Sequence, residues 1–346
     1  MRKFDYNFLA DEIPSNIAGT SDIISDLRAK EGFRKPQYED AFDKLREKAI
    51  IESVRGSNAI EGIVTTNDRI RAIVEGNKPV THDELEISGY KDALNLIHTS
   101  HEDIDVTEET ILTFHRYIQN ETNPREAGRY KDRNNFIMEY ASDGRRKIRF
   151  KPTSAKETDA AMEQLLLAYY DARQNTAISQ LFLIPCFIVD FLCIHPFIEG
   201  NGRVSRLLNV LMLYLSGHDI VRYISLEGLT DQYKGNYYET LRQSSKGWHE
   251  NKNSYIPFLT FSMQILYKCY KKLDDSFMDI ALKKAKKSER VEAVLMNTIV
   301  PISKSEIIEK LPDISVKTVE LVLSKMLKDE KIKKIGTYRD ARYVRR

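Results

Sequence analysis

The most apolar stretch of the chain, Leu181 to Ile194, is interrupted by Pro185 and Asp190 and is too short to span a bilayer. It reads as a buried helix of a soluble protein. Elsewhere apolar residues recur at helical spacing and strand signals are confined to two places, so the chain reads as mainly α. With 346 residues, 42% hydrophobic and 30% charged, it exceeds one typical domain and excludes disorder and a collagen-like chain. Basic and acidic residues number 53 and 51, which excludes a surface built throughout to coat nucleic acid or anionic lipid. The cysteines, Cys186, Cys193 and Cys269, form neither a disulfide framework nor a zinc ligand set. The opening MRKFDYNFLADEIP lacks the apolar core of a secretory signal, so a cytoplasmic protein without a membrane partner is expected.

Along the chain, Phe42, Leu45, Ala49, Ser53, Gly56 and Ile60 share one face of a helix from about Pro36 that Gly62 stops. The face becomes small toward its end, where something must approach closely. Further helices are predicted from Glu84 to Ile97, from a Thr107 cap through Ile118, from a Ser154/Glu157 capping box to about Arg173, and from about Ile178 to Cys193. Pro185 must sit in the first turn of the last of these or kink it. Residues 133 to 151, RNNFIMEYASDGRRKIRFK, place an Asp143-Gly144 turn between two short apolar-bearing runs, a hairpin signature.

The most informative stretch is His195-Pro196-Phe197-Ile198-Glu199-Gly200-Asn201-Gly202-Arg203-Val204-Ser205-Arg206. Glycines flank Asn201 where a new helix starts, carrying Val204, Leu207, Leu208, Leu211 and Leu215 to its end at Gly217. A helix N-terminus with clustered N–H donors is an anion site. Arg203 and Arg206, three apart, can both lean over the anion, so the expected ligand is a polyphosphate. Glu199 offers a hard oxygen beside the phosphates, where Mg²⁺ belongs. His195 is the local group suited to take a proton from an incoming hydroxyl.

This stretch fills every fixed position of H-P-F-x-[D/E]-G-N-G-R-x-x-R and is similar to the signature of the Fic family (filamentation induced by cyclic AMP). The resemblance extends to the order of elements around Gly128-Arg129-Tyr130 and to the RYISLEGL and YYETLRQSSKGWHE segments, and covers most of residues 1 to about 275. It implies an N-terminal helical extension over residues 1–100 and a helical catalytic core with a hairpin flap over 101–275. It implies transfer of AMP from Mg-ATP to a Ser, Thr or Tyr hydroxyl of a protein, self-modification and a homodimer included. His195 would then be the general base and Glu199 the Mg²⁺ ligand. Gly200, Asn201 and Gly202 would form the anion hole, with Arg203 at the β-phosphate and Arg206 at the γ-phosphate. The flap would hold the target segment by adding a strand.

Ser57-Asn58-Ala59-Ile60-Glu61-Gly62 also resembles the family's inhibitory motif, [S/T]-x-x-x-E-[G/N]. Ser57 and Glu61, four apart, share one helix face, and a carboxylate brought to Arg206 would neutralise the charge meant for the γ-phosphate. A self-inhibited ground state is expected. The same pocket also fits AMP removal with Glu61 positioning a water, or a nucleotide sensor in a DNA-binding regulator. Glu199 stands where the family more often has Asp, which lengthens the arm by one methylene.

Other groups read as structural. His98 and His101 lack further ligands and read as surface loop. Trp248 with Tyr237, Tyr238 and His249 reads as core, a base-stacking shelf being the alternative. After the lysine-rich stretch that ends LKKAKKSER a boundary is placed near residue 285. Beyond it, helices carrying Val291, Val294, Leu295 and Ile299, then Ile307, Ile308 and Leu311, then Val319, Val322, Leu323, Met326 and Leu327 lead into two strands around Gly336. That is the pattern of a winged helix-turn-helix over 288–346. This segment holds 13 basic and 9 acidic residues, with Lys325, Lys328, Lys331, Lys333, Lys334, Arg339, Arg342, Arg345 and Arg346 crowded into its end. DNA and protein docking are equally open as its use.

Overall fold

A computed structural model describes residues 2–11, 13–140, 145–284, 286–298, 300–337 and 341–346. The expected Asp143-Gly144 turn, Ile299 and Arg339 lie outside the described residues. The chain is mainly helical and divides into two compact units, residues 1–273 and 274–346.

The first unit begins with α1 (Ser15–Arg34), α2 (Glu39–Ile60), α3 (Asn67–Val74), α4 (His82–Ser100) and α5 (Glu108–Gln119). The hairpin follows as β1 (Ile137–Tyr140) and β2 (Arg146–Phe150), then α6 (Thr158–Gln174), α7 (Gln180–Ile194), α8 (Asn201–Leu215), α9 (Leu226–Gln232), α10 (Lys234–Ser245) and α11 (Ile256–Lys284). Thr107 caps α5 as the sequence suggests, its Oγ1 accepting from the Thr110 amide at 3.1 Å, and Thr81, which the sequence reading did not single out, caps α4 by accepting from the Glu84 amide at 3.2 Å. Ser154 differs. Its hydroxyl bonds the Glu157 carboxylate at 2.6 Å, and a 3₁₀ turn over Ala155–Glu157 intervenes before α6.

Residues 1–273 form one compact unit. α2 lies on α9 and α4, and α4 also meets α5 and α8. The close approach on α2 is to α9: a Cβ on Gly56 would come within 2.8 Å of the Glu227–Gly228 backbone. Beside it Ser53 donates to Glu227 Oε2 at 2.9 Å and Tyr90 OH to Oε1 at 3.0 Å, so a fully buried acid is satisfied where the helices touch.

The apolar stretch forms α7, and the helix continues through Pro185 in its second turn. Asp190 is tolerated there because Tyr6, Trp248 and Tyr255 donate to it at 2.7, 2.6 and 2.9 Å, with Arg2 at 3.5 Å. Burial still holds its carboxyl above the ordinary value, the donors working in the opposite sense. His98 is not on a surface loop. It sits on α4 with Nδ1 2.6 Å from Tyr214 OH, and His101 stacks on the same ring, because the helix continues past the position where the sequence suggested a break. Burial lowers the His98 pKa to about 4.

The border between the units falls within α11, between residues 273 and 274, and lysine as a good helix former lets α11 run on through the lysine-rich stretch to Lys284. The second unit contains α12 (Lys287–Asn297), β3 (Ile302–Ser303), α13 (Lys304–Lys310), α14 (Val316–Lys328), β4 (Ile332–Ile335) and β5 (Arg342–Arg345). The strands form an antiparallel sheet in the order β3-β5-β4, with Ile302 opposite Tyr343 and Ile332 opposite Arg345. Val291, Ile307, Val319, Leu323, Met326 and Ile332 make its core. Among the described residues no helix is long and apolar enough to cross a membrane.

Candidate active site

The turn from α7 to α8 carries the loop 195–200. It begins with His195 in the left-handed region, φ 53°, and ends with Gly200 at φ 81°. Just after it Asn201, the first residue of α8, closes the loop, accepting from the Phe197 amide at 2.9 Å and donating to its carbonyl at 2.7 Å. Phe197 is fully buried and stacks on His115, ring centroids 3.8 Å apart. His115 takes the Gly128 amide on Nδ1 at 3.0 Å, so Nε2 is its donor, 3.2 Å from the Glu199 carbonyl. From behind, Lys131 donates to the carbonyls of Ile194 and His195 at 3.0 and 2.9 Å, and burial lowers its pKa to about 8.

These clamps aim two features into one cleft of about 620 Å³, lined among others by Glu61, His195, Gly202, Tyr237, Tyr238 and flap residues Phe136 to Glu139. The first is His195. Its Nδ1 lies 3.1 Å from the Leu192 carbonyl, which assigns the proton to Nδ1 and leaves the Nε2 lone pair free to accept. Enclosure lowers its pKa to about 4 against the opposing pull of the Leu192 carbonyl and Glu61, with Lys131 adding to the lowering. The imidazole is therefore neutral at pH 7. The second is the start of α8, where the amides of Asn201, Gly202 and Arg203 precede the first intrahelical bond, Val204 N–H to the Gly200 carbonyl at 2.9 Å.

Both arginines of α8 are buried, and each meets a carboxylate from the N-terminal helices. Arg206 donates Nε to Ser57 Oγ at 2.8 Å and Nη2 to the Ser57 carbonyl at 2.9 Å and to Glu61 Oε1 at 2.8 Å. Burial would raise the Glu61 carboxyl pKa, but Arg206 outweighs it and holds the group below its ordinary value. The Glu61 carboxylate lies against Gly202 so closely that any side chain at 202 would collide with it. Arg203 pairs through Nη2 with Glu86 Oε2 at 2.5 Å. Nε and Nη1 of Arg203 and Nη1 of Arg206 are buried without an acceptor.

The end of α2 is tied down by α10: Lys234 Nζ donates to the Ala59 carbonyl and Tyr238 OH to that of Ile60, both at 3.0 Å. Tyr237 and Tyr238 line the cleft, whereas Trp248 is buried beside Asp190 and His249 bonds the Lys151 carbonyl at 2.7 Å, so the aromatic cluster is two groups. Glu199 is exposed. No cluster of three or more His, Cys, Asp or Glu side chains suited to a metal occurs among the described residues. Sequence reading missed Glu86, His115, Lys131 and Asn135, whose Nδ2 donates to the Phe197 carbonyl at 2.8 Å. The Gly128-Arg129-Tyr130 triplet marked the neighbourhood of Lys131, and no local pattern marked Glu86.

Residues 105–213 match the model of the Fic/DOC family. The chain is 26% identical over 208 residues to a protein adenylyltransferase Fic of Nematostella vectensis, an alignment covering 58% of this chain and 44% of that one. It is 25% identical over 235 residues to the protein adenylyltransferase fic-1 of Caenorhabditis elegans, covering 65% and 42%. It thus spans less than half the length of these curated relatives. Its fold is similar to a Fic family protein from Desulfovibrio desulfuricans G20, with a TM-score of 0.65 and 19% identity over 97% of both chains. It is similar too to Fic-1 from Caenorhabditis elegans, with a TM-score of 0.60 and 20% identity over 76% of this chain and 73% of that one.

Proposed function

Starting from a chain that carries a Fic domain over residues 105–213, we propose that it is a protein adenylyltransferase held in check by Glu61. The observation that carries this reading is a neutral, enclosed His195 opening into the same cleft as a helix N-terminus, with two buried arginines beside it on which Arg203 Nε, Arg203 Nη1 and Arg206 Nη1 lack acceptors. Buried cationic donors without acceptors fit a polyphosphate, and a base beside them fits transfer rather than binding alone.

In the proposed reaction the acceptor hydroxyl oxygen of a Ser, Thr or Tyr forms a bond to the α-phosphorus of ATP. The bond from that phosphorus to the bridging oxygen breaks, pyrophosphate leaves with the electron pair, and the hydroxyl proton passes to His195 Nε2. The amides of Gly202 and its neighbours face the phosphates, Arg203 the β-phosphate and Arg206 the γ-phosphate. Asn201 acts by closing the loop, since its side chain is engaged with Phe197. The exposed carboxylate of Glu199 suits Mg²⁺, which takes one or two carboxylates together with substrate phosphates. When bound, the ion would supply charge neutralisation on the phosphates. The flap offers Phe136, Met138 and Ile148, all half exposed, to a target strand.

With Glu61 on Arg206 the γ-phosphate loses its partner, and ATP would settle unproductively. Because the Glu61 carboxylate also lines the cleft, AMP removal through a water held by Glu61 is the second reading. The second unit reads as a winged helix, with DNA as its proposed partner. Lys317, Lys325 and Lys328 share the exposed side of α14, whereas Lys331, Arg342 and Arg346 are paired with Glu292, Glu306 and Glu330. A cytoplasmic setting and a homodimer complete the proposal.

Intact mass spectrometry after incubation with Mg-ATP tests it. AMP should add to Glu61→Gly, and not to Glu61→Gly combined with His195→Ala. No addition by Glu61→Gly, with release of AMP from a modified protein by the wild type, would overturn transfer in favour of removal.

A further inference from the structure

Glu86 belongs to none of the sequence features above, yet it supplies the carboxylate that meets Arg203. It lies within α4, where its neighbours Ile87 and Tyr90 are fully buried, and its side chain is 12% exposed against 32% for Glu61. Its contact is single-pronged. Oε2 touches Nη2 at 2.5 Å, while Nε and Nη1 of the same guanidinium, on a side chain only 4% exposed, have no acceptor. A planar fork held by one prong keeps its orientation and still offers its remaining donors to an anion.

We propose that Glu86 is a positioning residue for the transfer reaction, holding Arg203 by Nη2 so that Nε and Nη1 are presented to the phosphate chain at the start of α8. The inference rests on reading Arg203 as a phosphate ligand. A removable carboxylate, as Glu61 is read to be, has to withdraw before ATP can take the productive pose. Glu86 is 12% exposed and projects from the middle of α4, which is packed against α2, α5 and α8. The other carboxylate oxygen, Oε1, is 3.4 Å from His82 Nδ1, an exposed side chain that braces the group from the solvent side. Removing the negative charge of Glu86 leaves Arg203 as cationic as before with less to orient it, so binding and catalysis should separate.

The test uses the full chain carrying Glu61→Gly. Adding Glu86→Gln should lower kcat about 10²-fold, the cost of an angstrom-scale misplacement, while Mg-ATP affinity by calorimetry stays the same or tightens. Glu86→Asp, which keeps the charge on a shorter arm, should recover part of the lost rate. Unchanged kcat in both variants would overturn the proposal. So would a rise in transfer when Glu86→Gln is made alone with Glu61 present, which would make Glu86 a second latch. Parallel loss of affinity, rate and thermal midpoint in both variants would reduce it to a structural residue and overturn it as well. If Glu61→Gly binds Mg-ATP but transfers nothing, the transferase reading fails separately, and inorganic pyrophosphate becomes the probe. A changed ³¹P shift of bound pyrophosphate in Glu86→Gln, at retained affinity, supports the positioning of Arg203; an unchanged shift overturns it.

Discussion

Two carboxylates meet two arginines on the same turn of α8, and the pairs differ in how they are anchored. Glu61 follows the last residue of α2, a third of its side chain is exposed, and its helix end is tied by Ser57, Lys234 and Tyr238. Glu86 projects from the middle of α4 and is nearly enclosed. A helix end opens at lower free energy than the middle of a packed helix. On the proposed reading, the same kind of ion pair is a latch in one place and a brace in the other. Neither use follows from the charge alone.

The largest expected effect breaks the comparison on the arginine side. Arg206→Ala in the Glu61→Gly background, where the latch is already gone, should cost about 10²–10³-fold in transfer, because the phosphate donor is lost. If transfer by the double variant equals that of Glu61→Gly, Arg206 is not a phosphate ligand and the latch has no target. Next, Gly56→Val should push α2 off the Glu227–Gly228 backbone, lowering stability by about 1–3 kcal/mol in a denaturant titration and raising transfer above the wild type. A stable variant with wild-type activity would mean that α2 docking does not govern the latch. Ser57→Ala removes the hydroxyl on Arg206 Nε and should release transfer about fivefold, the equivalent of one hydrogen bond near 1 kcal/mol. The corresponding trimming of His82 beside Glu86 should not activate.

The smallest effect concerns pH. His195 is lowered to about 4, and Glu61 is one of the groups pulling that value up, so its removal lowers it further. Transfer by Glu61→Gly should then be level from pH 8 down to about 5, with loss only below about pH 4. An acid limb near the ordinary histidine value would contradict the enclosure. The Glu61 carboxyl is depressed in the folded state, so the stability it adds is present at neutral pH and is lost as pH falls below the unfolded carboxyl value of about 4.3. The stability difference between wild type and Glu61→Gly should therefore shrink in acid denaturation midpoints measured from pH 6 to pH 3.

Local chemistry was legible. The glycines around Asn201, the paired arginines of α8, the Thr107 cap and the hairpin strands all depend on residues within a turn or two of one another. What escaped sequence reading joins residues far apart in the chain: Lys131 under the carbonyls of Ile194 and His195, His115 against Phe197, and Glu86 on Arg203. Ser154 shows a nearer limit, since two groups at cap spacing bonded to each other rather than to the backbone. His98 was misplaced for a related reason: a helix that outruns its expected end carries its last side chains into the core.

By itself the sequence determined that a helix N-terminus would be ringed by glycine, histidine and arginine, because backbone freedom, helix spacing and side-chain chemistry are local properties. Tertiary structure decided which nitrogen of His195 carries the proton, that Glu86 meets Arg203, and how far each carboxylate is enclosed. Those outcomes depend on burial and on the anchoring of α2 and α4, and both arise only when distant segments pack.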